Sequence, residues 1–146
     1  MRTCNQLGIK LIKEYEGCKL IAYKDVGGLL TIGYGHVDPS IKEGLEWTQE
    51  QAESAFSRDL GKFEAQVDHL TPTTINENQF SAIVSFTYNL GASRLKQSTL
   101  LKLLFENDFD GAAKEFGKWV KAAGKVDPGL VRRRAAEQKL FETEIV

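Results

Sequence analysis

The helical pattern that begins at Thr48 is the sequence feature that most restricts how this chain can fold. Thr48 and Gln51 have the spacing of a capping box, in which a hydroxyl and an amide satisfy free N–H groups of the first helical turn. Apolar residues then recur every three or four positions, at Ala52, Phe56, Leu60, Phe63 and Val67. The pattern predicts a helix of about 21 residues ending near His69, roughly 32 Å long at 1.5 Å per residue. A helix of that length in a chain of 146 residues favours a fold in which it joins two lobes.

The segments before and after this helix have different patterns. Asn5 is placed to cap a first helix that Gly17 ends, and residues 19–37 predict a hairpin or small antiparallel sheet around the Gly27-Gly28 turn. The later chain is predicted to be helical, over 76–90, 98–105, 108 or 110 to 123, and from 128 onward.

These patterns predict an α+β, mostly helical, two-lobed fold. We expect one domain over 1–146, with a sheet-containing N-terminal lobe over about 13–60 and a connecting helix over about 48–70. The helical C-terminal lobe would cover about 70–146 and include the first helix.

Charge and composition exclude several classes of protein. The net charge of -1 disfavours a nucleic-acid-binding protein, although basic residues crowd the last quarter of the chain. No stretch approaches the ~18 apolar residues of a membrane span. Lys10 and Lys13 interrupt the early apolar run, so we expect no signal peptide and a soluble protein made in the cytoplasm. Cys4 and Cys18 are too few for a disulfide framework. Both are predicted to be buried, reduced thiols, and a bridge between them is the alternative.

Two carboxyl groups early in the chain are candidates for acid–base chemistry. Glu16 should end the first helix, where the partial negative charge of the helix end favours the protonated acid. Asp25 precedes the Gly27-Gly28 turn, where it should remain solvated and ionised. Contrasting environments of this kind suit glycoside hydrolysis. Spacing alone is weak evidence, because most such pairs are two solvated carboxylates and glycine-rich strands are commonly turns or bulges.

A longer pattern surrounds these two residues and is more specific. It comprises Glu16-Gly17, Tyr23-Lys24-Asp25, Gly28 and the run Thr31-Ile32-Gly33-Tyr34-Gly35-His36. This set resembles the signature of the phage-type lysozymes, or endolysins, family 24 of the glycoside hydrolases. In that family a Glu, eight residues, an Asp or Cys, five residues and a Thr occur in order, as Glu16, Asp25 and Thr31 do here. The resemblance continues through 78–91, 98–99 and 129–134.

The resemblance implies a reaction, the residues that carry it out and the bond that is cut. Glu16 would protonate the glycosidic oxygen, while Asp25, with Thr31 beside it, would position or activate water on the opposite face of the sugar. The anomeric centre would then invert, with the two carboxyl groups ~6.5–9.5 Å apart. The substrate would be the peptidoglycan glycan strand, cut at the β-1,4 bond from N-acetylmuramic acid to N-acetylglucosamine. No metal or cofactor is expected, since no Cys/His cluster has metal-ligand spacing.

Further residues are candidates for binding substrate. Gly35 would let a bulky substrate approach the backbone closely. We interpret His36 as a structural residue that makes an ion pair or hydrogen bond at the edge of the cleft, in preference to a catalytic one. Asn89 would either bond a sugar acetamido or hydroxyl group, as in the family, or bond its own backbone.

One arginine of the run 132–134 is expected to face Glu16. The sequence does not decide among Arg132, Arg133 and Arg134, because three adjacent helical residues point in three directions; Arg133 is included among the candidate substrate-binding residues. Trp47 and Trp119 are interpreted as packing residues in preference to sugar-stacking ones.

The resemblance also implies partners for the protein, and several alternative functions stay open. It implies host cell lysis and phage release by a protein that reaches the periplasmic wall with the help of a holin-type membrane protein. A monomer is the simplest expectation for a cleft enzyme that acts on a polymer. The rivals are a lytic transglycosylase, which uses one acidic Glu and forms an anhydro sugar, and an inactive wall-binding paralogue. A nucleic-acid-binding protein would rest on the arginine run alone.

Overall fold

A computed structural model describes residues 1–146 and contains seven α-helices and two small antiparallel sheets. The elements are α1 Gln6–Glu16, β1 Lys19–Lys24, β2 Leu30–Gly33, α2 Gln49–Leu70, α3 Glu77–Leu90, α4 Ala92–Lys96, α5 Thr99–Phe105, α6 Phe109–Glu115, β3 Lys121–Ala122, β4 Lys125–Val126 and α7 Pro128–Glu142. None of the helices is both long and apolar enough to span a membrane. The predicted α+β, mostly helical class is confirmed.

Helix α2 connects the sheet to the helical core. It has 22 residues and starts with the predicted capping box, in which Thr48 Oγ1 accepts from the Gln51 N–H at 3.2 Å and Gln51 Oε1 accepts from the Thr48 N–H at 2.8 Å. One face of the helix is buried against β2 and α3 through its apolar residues. The helix therefore fixes the sheet relative to the rest of the molecule.

The first sheet is small and carries the hairpin turn predicted at Gly27-Gly28. Strands β1 and β2 pair antiparallel, with Tyr23 opposite Thr31, and the register shifts between Lys19 and Tyr23. Trp47 packs against this sheet, and a Cβ on Gly33 would lie 3.0 Å from its ring. The interpretation of Trp47 as a packing residue agrees with this contact.

Helix α3 lies at the centre of the helical lobe, in contact with α1, α2 and α7. Its side chains form the middle of a cluster of 22 buried apolar residues. Phe86 meets the rings of Phe116 and Trp119 edge-on, with centroids 5.7 and 5.5 Å apart. Trp119 therefore has a packing role, as predicted.

The structure corrects the prediction of one helix from 108 or 110 to 123. Helix α6 ends at Glu115, a 3-10 turn follows over Phe116–Lys118, and β3 and β4 form a short hairpin. Ala123 and Gly124 have positive φ values of 52° and 78° in the hairpin turn, which a helix does not allow. Helix α4 was also not predicted, because Gly91 ends α3 with a φ of 92° and the chain resumes a helix directly after it.

The two cysteines differ in burial. Both are free thiols, but only Cys4 is buried, so the prediction of a buried Cys18 is wrong. Burial raises the pKa of Cys4 to about 12, which makes this thiol a poor nucleophile. Cys18 is partly exposed because it lies between the end of α1 and the start of β1.

Candidate active site

Glu16 is the last residue of α1, and its carboxyl group reaches a cleft between the sheet and the helical lobe. Gly17 ends the helix with a φ of 66°, and its N–H donates to the carbonyl of Lys13 at 2.9 Å. The Glu16 side chain is only 16% exposed, and Oε2 accepts a hydrogen bond from Arg133 Nη1 at 2.6 Å.

Arg133 is held by several partners behind Glu16. Its Nε donates to Glu137 at 3.1 Å and its Nη2 to the carbonyl of Ser85 at 3.0 Å. Burial by itself would lower the pKa of Arg133, but the negative charges of Glu16 and Glu137 and their hydrogen bonds outweigh it and raise that pKa. The guanidinium is therefore a fixed positive charge.

The three predicted arginines have different surroundings. Arg133 faces Glu16, whereas the guanidinium of Arg134 is fully buried and bonds Asn89, Glu137 and the carbonyl of Trp119. Arg132 is exposed. The charge opposite Glu16 is thus supplied by the middle arginine of the run.

Asp25 and Thr31 also line the cleft, at the turn end of the β1–β2 hairpin. Asp25 Oδ1 accepts from the Leu29 N–H at 2.8 Å, which fixes the carboxylate at the turn. Thr31 is buried, and its hydroxyl donates to the carbonyl of Leu29 at 3.1 Å. Both residues are therefore oriented by the backbone of one residue in the turn.

Gly35 allows close contact between the turn after β2 and the carboxyl group of Glu16. Its φ is 73°, and a Cβ at this position would collide with Glu16 Oε1. Any side chain here would meet both backbone strain and a steric clash with Glu16.

His36 bridges two carboxylates at the rim of the cleft. Its Nδ1 lies 2.7 Å from Asp59 and its Nε2 lies 2.9 Å from Asp38. Burial lowers the pKa of His36, but the hydrogen bonds and charges of Asp59 and Asp38 outweigh it, so that the pKa rises above its usual value. These contacts agree with the interpretation of His36 as an ion-paired structural residue.

A second polar cluster ties α1 to the sheet lobe. Glu53 of α2 accepts from Lys13 of α1 at 2.6 Å and from the hydroxyl of Tyr34 at 2.5 Å. The hydrogen bonds from Lys13 and Tyr34 lower the pKa of Glu53 to about 2. The end of α1, and with it Glu16, is therefore anchored to both lobes.

The cleft brings most of the predicted site residues together. A cavity of about 470 Å³ is lined by Glu16, Asp25, Thr31, Gly35 and Asn89, among others. A second cavity of about 700 Å³ continues past Glu16 and Asn89 and also contacts Arg133 and the exposed Val26. His36 lies at the rim rather than in the lining, and no group of three or more His, Cys, Asp or Glu side chains could hold a metal ion.

Sequence reasoning missed three residues of this region. Asp59 and Lys62 of α2 line the cleft, and Glu137 lies behind it. The positions of Arg133 and Glu137, four residues apart on a helix, are a signal that could have identified the third. Asp59 and Lys62 have no comparable signal, because exposed charges are common on any long helix.

Comparisons with known proteins agree with the fold. The family model described as "Phage lysozyme" matches residues 13–137. The chain is 44% identical over 141 residues to an endolysin of Bacillus phage B103, covering 95% of this chain and 54% of that protein. It is 41% identical over 143 residues to an endolysin of Acyrthosiphon pisum secondary endosymbiont phage 1, covering 95% of this chain and 97% of that protein.

The similarity extends to solved structures. The muramidase domain of SpmX from Asticaccaulis excentricus superimposes with a TM-score of 0.89 at 34% identity, covering 99% of this chain and 100% of that domain. The chain spans about half the length of the Bacillus phage endolysins that it matches.

Proposed function

The chain belongs to the phage lysozyme family, and from this premise we propose that it is a muramidase that hydrolyses the glycan strands of bacterial peptidoglycan. The cut bond is the β-1,4 link from N-acetylmuramic acid to N-acetylglucosamine, and the result is host cell lysis and phage release. One observation carries the proposal: a single cleft is lined by Glu16, Asp25 and Thr31, with Glu16 fixed by Arg133.

Glu16 acts as the general acid in this proposal. It enters the reaction protonated and transfers its proton to the glycosidic oxygen as the bond to the anomeric carbon breaks. Arg133 fixes the direction of the carboxyl group and stabilises the carboxylate that the transfer leaves behind.

Asp25 and Thr31 hold the attacking water on the opposite face of the sugar. Asp25 Oδ1 is bonded by the Leu29 N–H, which leaves Oδ2 to accept a proton from water. The Thr31 hydroxyl donates to the protein, so its oxygen remains as an acceptor for the same water. Attack from this side inverts the anomeric centre and requires the carboxyl groups of Glu16 and Asp25 to be ~6.5–9.5 Å apart.

Asn89 and Gly35 contact the sugar. Because Asn89 Oδ1 accepts from Arg134, the amide NH₂ group of Asn89 is the part that can donate to an acetamido or hydroxyl oxygen. Gly35 leaves room for a ring beside Glu16. His36 and Arg133 support binding indirectly, through the rim of the cleft and through Glu16.

Asp25 and Glu16 can be tested together by turbidity clearing of outer-membrane-permeabilised Gram-negative cells, with mass spectrometry of the released sugars. We expect wild type to clear the cells and release reducing ends, and Glu16→Gln and Asp25→Asn to lose clearing by at least about 100-fold, the scale of an acid–base contribution. Anhydro ends, with clearing that survives Asp25→Asn, would instead identify a lytic transglycosylase. A folded wild-type protein without clearing would indicate a wall-binding paralogue.

We also propose that the protein acts as a monomer on the periplasmic wall and reaches it with a holin-type membrane partner. Relatives that carry the name endolysin support the wall as the place of action. Release of the protein into the medium from cells that lack any such partner would contradict the role of the partner. A sedimentation measurement that gave a dimer would contradict the monomer.

A further inference from the structure

Glu137 is a fully buried carboxylate of α7 that the proposed reaction does not use. Its Oε2 accepts from Arg133 Nε at 3.1 Å and from the Ser85 hydroxyl at 2.6 Å, and its Oε1 accepts from Arg134. A buried carboxylate is costly unless it is paired and hydrogen-bonded. Glu137 meets that condition by holding two neighbouring arginines at once.

Each of these arginines also donates a hydrogen bond to a residue that lines the cleft. Arg133 donates to Glu16 at 2.6 Å, and Arg134 donates to Asn89 Oδ1. Both arginine side chains are buried, with exposures of 4% for Arg133 and 0% for Arg134. Glu137 is therefore linked through Arg133 to the carboxyl group of Glu16 and through Arg134 to the amide of Asn89.

The group is electrically balanced. Arg133 and Arg134 contribute two positive charges, and Glu16 and Glu137 contribute two negative charges when both are ionised. Loss of the Glu137 charge would leave an excess positive charge behind Glu16, in a buried environment where screening is weak.

Charged groups on the other packed elements do not replace Glu137. Helix α3 contributes Ser85, whose neutral hydroxyl donates to Glu137, and Asn89, whose neutral amide accepts from Arg134. Helix α6 and the 3-10 turn contribute Glu115 and Lys118, which pair with each other at 2.5 Å. Across the cleft from α7, the ionisable side chains are Tyr23 and Asp25 of the hairpin and Asp59 and Lys62 of α2.

We propose that Glu137 is a positioning residue, which holds Arg133 and Arg134 so that Glu16 and Asn89 keep their places, and whose negative charge balances the guanidinium groups behind Glu16. The inference rests on the proposed function, in which Glu16 is the general acid. Glu137 itself touches neither substrate nor water in the cleft.

The proposal predicts opposite effects from two charge-removing substitutions. In Glu137→Gln the unbalanced arginines favour ionised Glu16, so the pH at which kcat/KM falls on the basic side should decrease, by on the order of one pH unit. In Arg134→Gln the remaining Glu137 charge favours protonated Glu16, so the same limb should move to higher pH. A role in packing alone would lower stability in both variants without moving this limb in opposite directions.

The matched control is Glu142→Gln, which removes the same charge from an exposed position of the same helix and should move nothing. The titration midpoint of the Glu16 carboxyl carbon, followed by NMR, gives a readout that needs no turnover. A wild-type protein that failed to clear cells would thus count against the proposed function alone, and the titration would still decide the role of Glu137. If Glu137→Gln does not fold, Arg134→Gln decides the question.

The proposal would be supported if the basic limb and the Glu16 midpoint both moved to lower pH in Glu137→Gln and both moved to higher pH in Arg134→Gln. Midpoints within about 0.2 pH unit of the Glu142→Gln control, a displacement too small for a buried charge at this range, would overturn it.

Discussion

At the scale of single residues, the surroundings of Gly35 allow a specific prediction. A side chain at this position would have a strained backbone and would also clash with Glu16. A Cβ at this position would have a φ of 73° and would collide with Glu16 Oε1. We expect Gly35→Ala to lower the free energy of unfolding by about 1–2 kcal/mol, the usual cost of a left-handed residue. We also expect clearing to fall at least about tenfold, which corresponds to 1.4 kcal/mol of lost transition-state stabilisation.

Gly44→Ala is the matched control for this substitution. Gly44 has a φ of 84°, but a Cβ there would meet nothing within 4 Å. The control should lose similar stability in urea unfolding and keep wild-type clearing. Equal clearing by Gly35→Ala and Gly44→Ala would contradict the prediction that a side chain at position 35 disturbs Glu16.

Individual residues also show which parts of the site could be predicted from the sequence. The resemblance of Glu16, Asp25 and Thr31 to the family signature selected three residues that line one cleft. The choice among the three arginines was open, because the inward direction on α7 depends on how that helix rotates against α3. That rotation is set by packing, and it turns Arg133 to Glu16 and Arg134 to Asn89.

At the scale of elements, the capping box of α2 gives a prediction about stability. Thr48 Oγ1 satisfies the N–H of Gln51, and no main-chain acceptor would replace it in Thr48→Ala. We expect that variant to lose about 1 kcal/mol of unfolding free energy. Thr48→Ser keeps the hydroxyl and should retain most of it, as measured by urea unfolding. Equal losses in the two variants would assign the effect to the methyl group of Thr48 instead of the cap.

Caps also explain which elements the sequence predicted well. Asn5, Thr48, Asn76 and Ser98 are confirmed as N-caps whose side chains accept from a backbone N–H three residues on. These signals are local, so the sequence carries them in full. The end of α6 depends instead on Phe116 and Trp119 packing around Phe86, which lies far away in sequence. No local pattern records that contact, and the predicted helix was accordingly too long.

At the scale of the whole molecule, the two lobes meet through α2, and His36 joins the turn after β2 to this helix through Asp59. The pKa of His36 is raised in the folded protein by Asp59 and Asp38, against the effect of burial. The proton is thus bound more tightly by the folded chain than by the unfolded chain. The resulting stabilisation is complete below the unfolded value of about 6.5 and is lost as the pH rises through the raised folded value.

This linkage predicts a pH-dependent difference between wild type and His36→Gln. In thermal melts from pH 5 to pH 9, we expect wild type to melt about 2–4 °C higher near pH 5, as for a loss near 1 kcal/mol in a chain of this size. The difference should shrink as the pH rises from about 6.5 through the raised folded pKa, because His36 loses its charge first in the unfolded chain and then in the folded chain. His69→Gln is the control, since His69 is the other histidine of the chain, is exposed on α2, and makes no ion pair. A melting difference for His36→Gln that stayed constant across this range would mean that His36 stabilises the lobes by packing and neutral hydrogen bonds, and not by its charge.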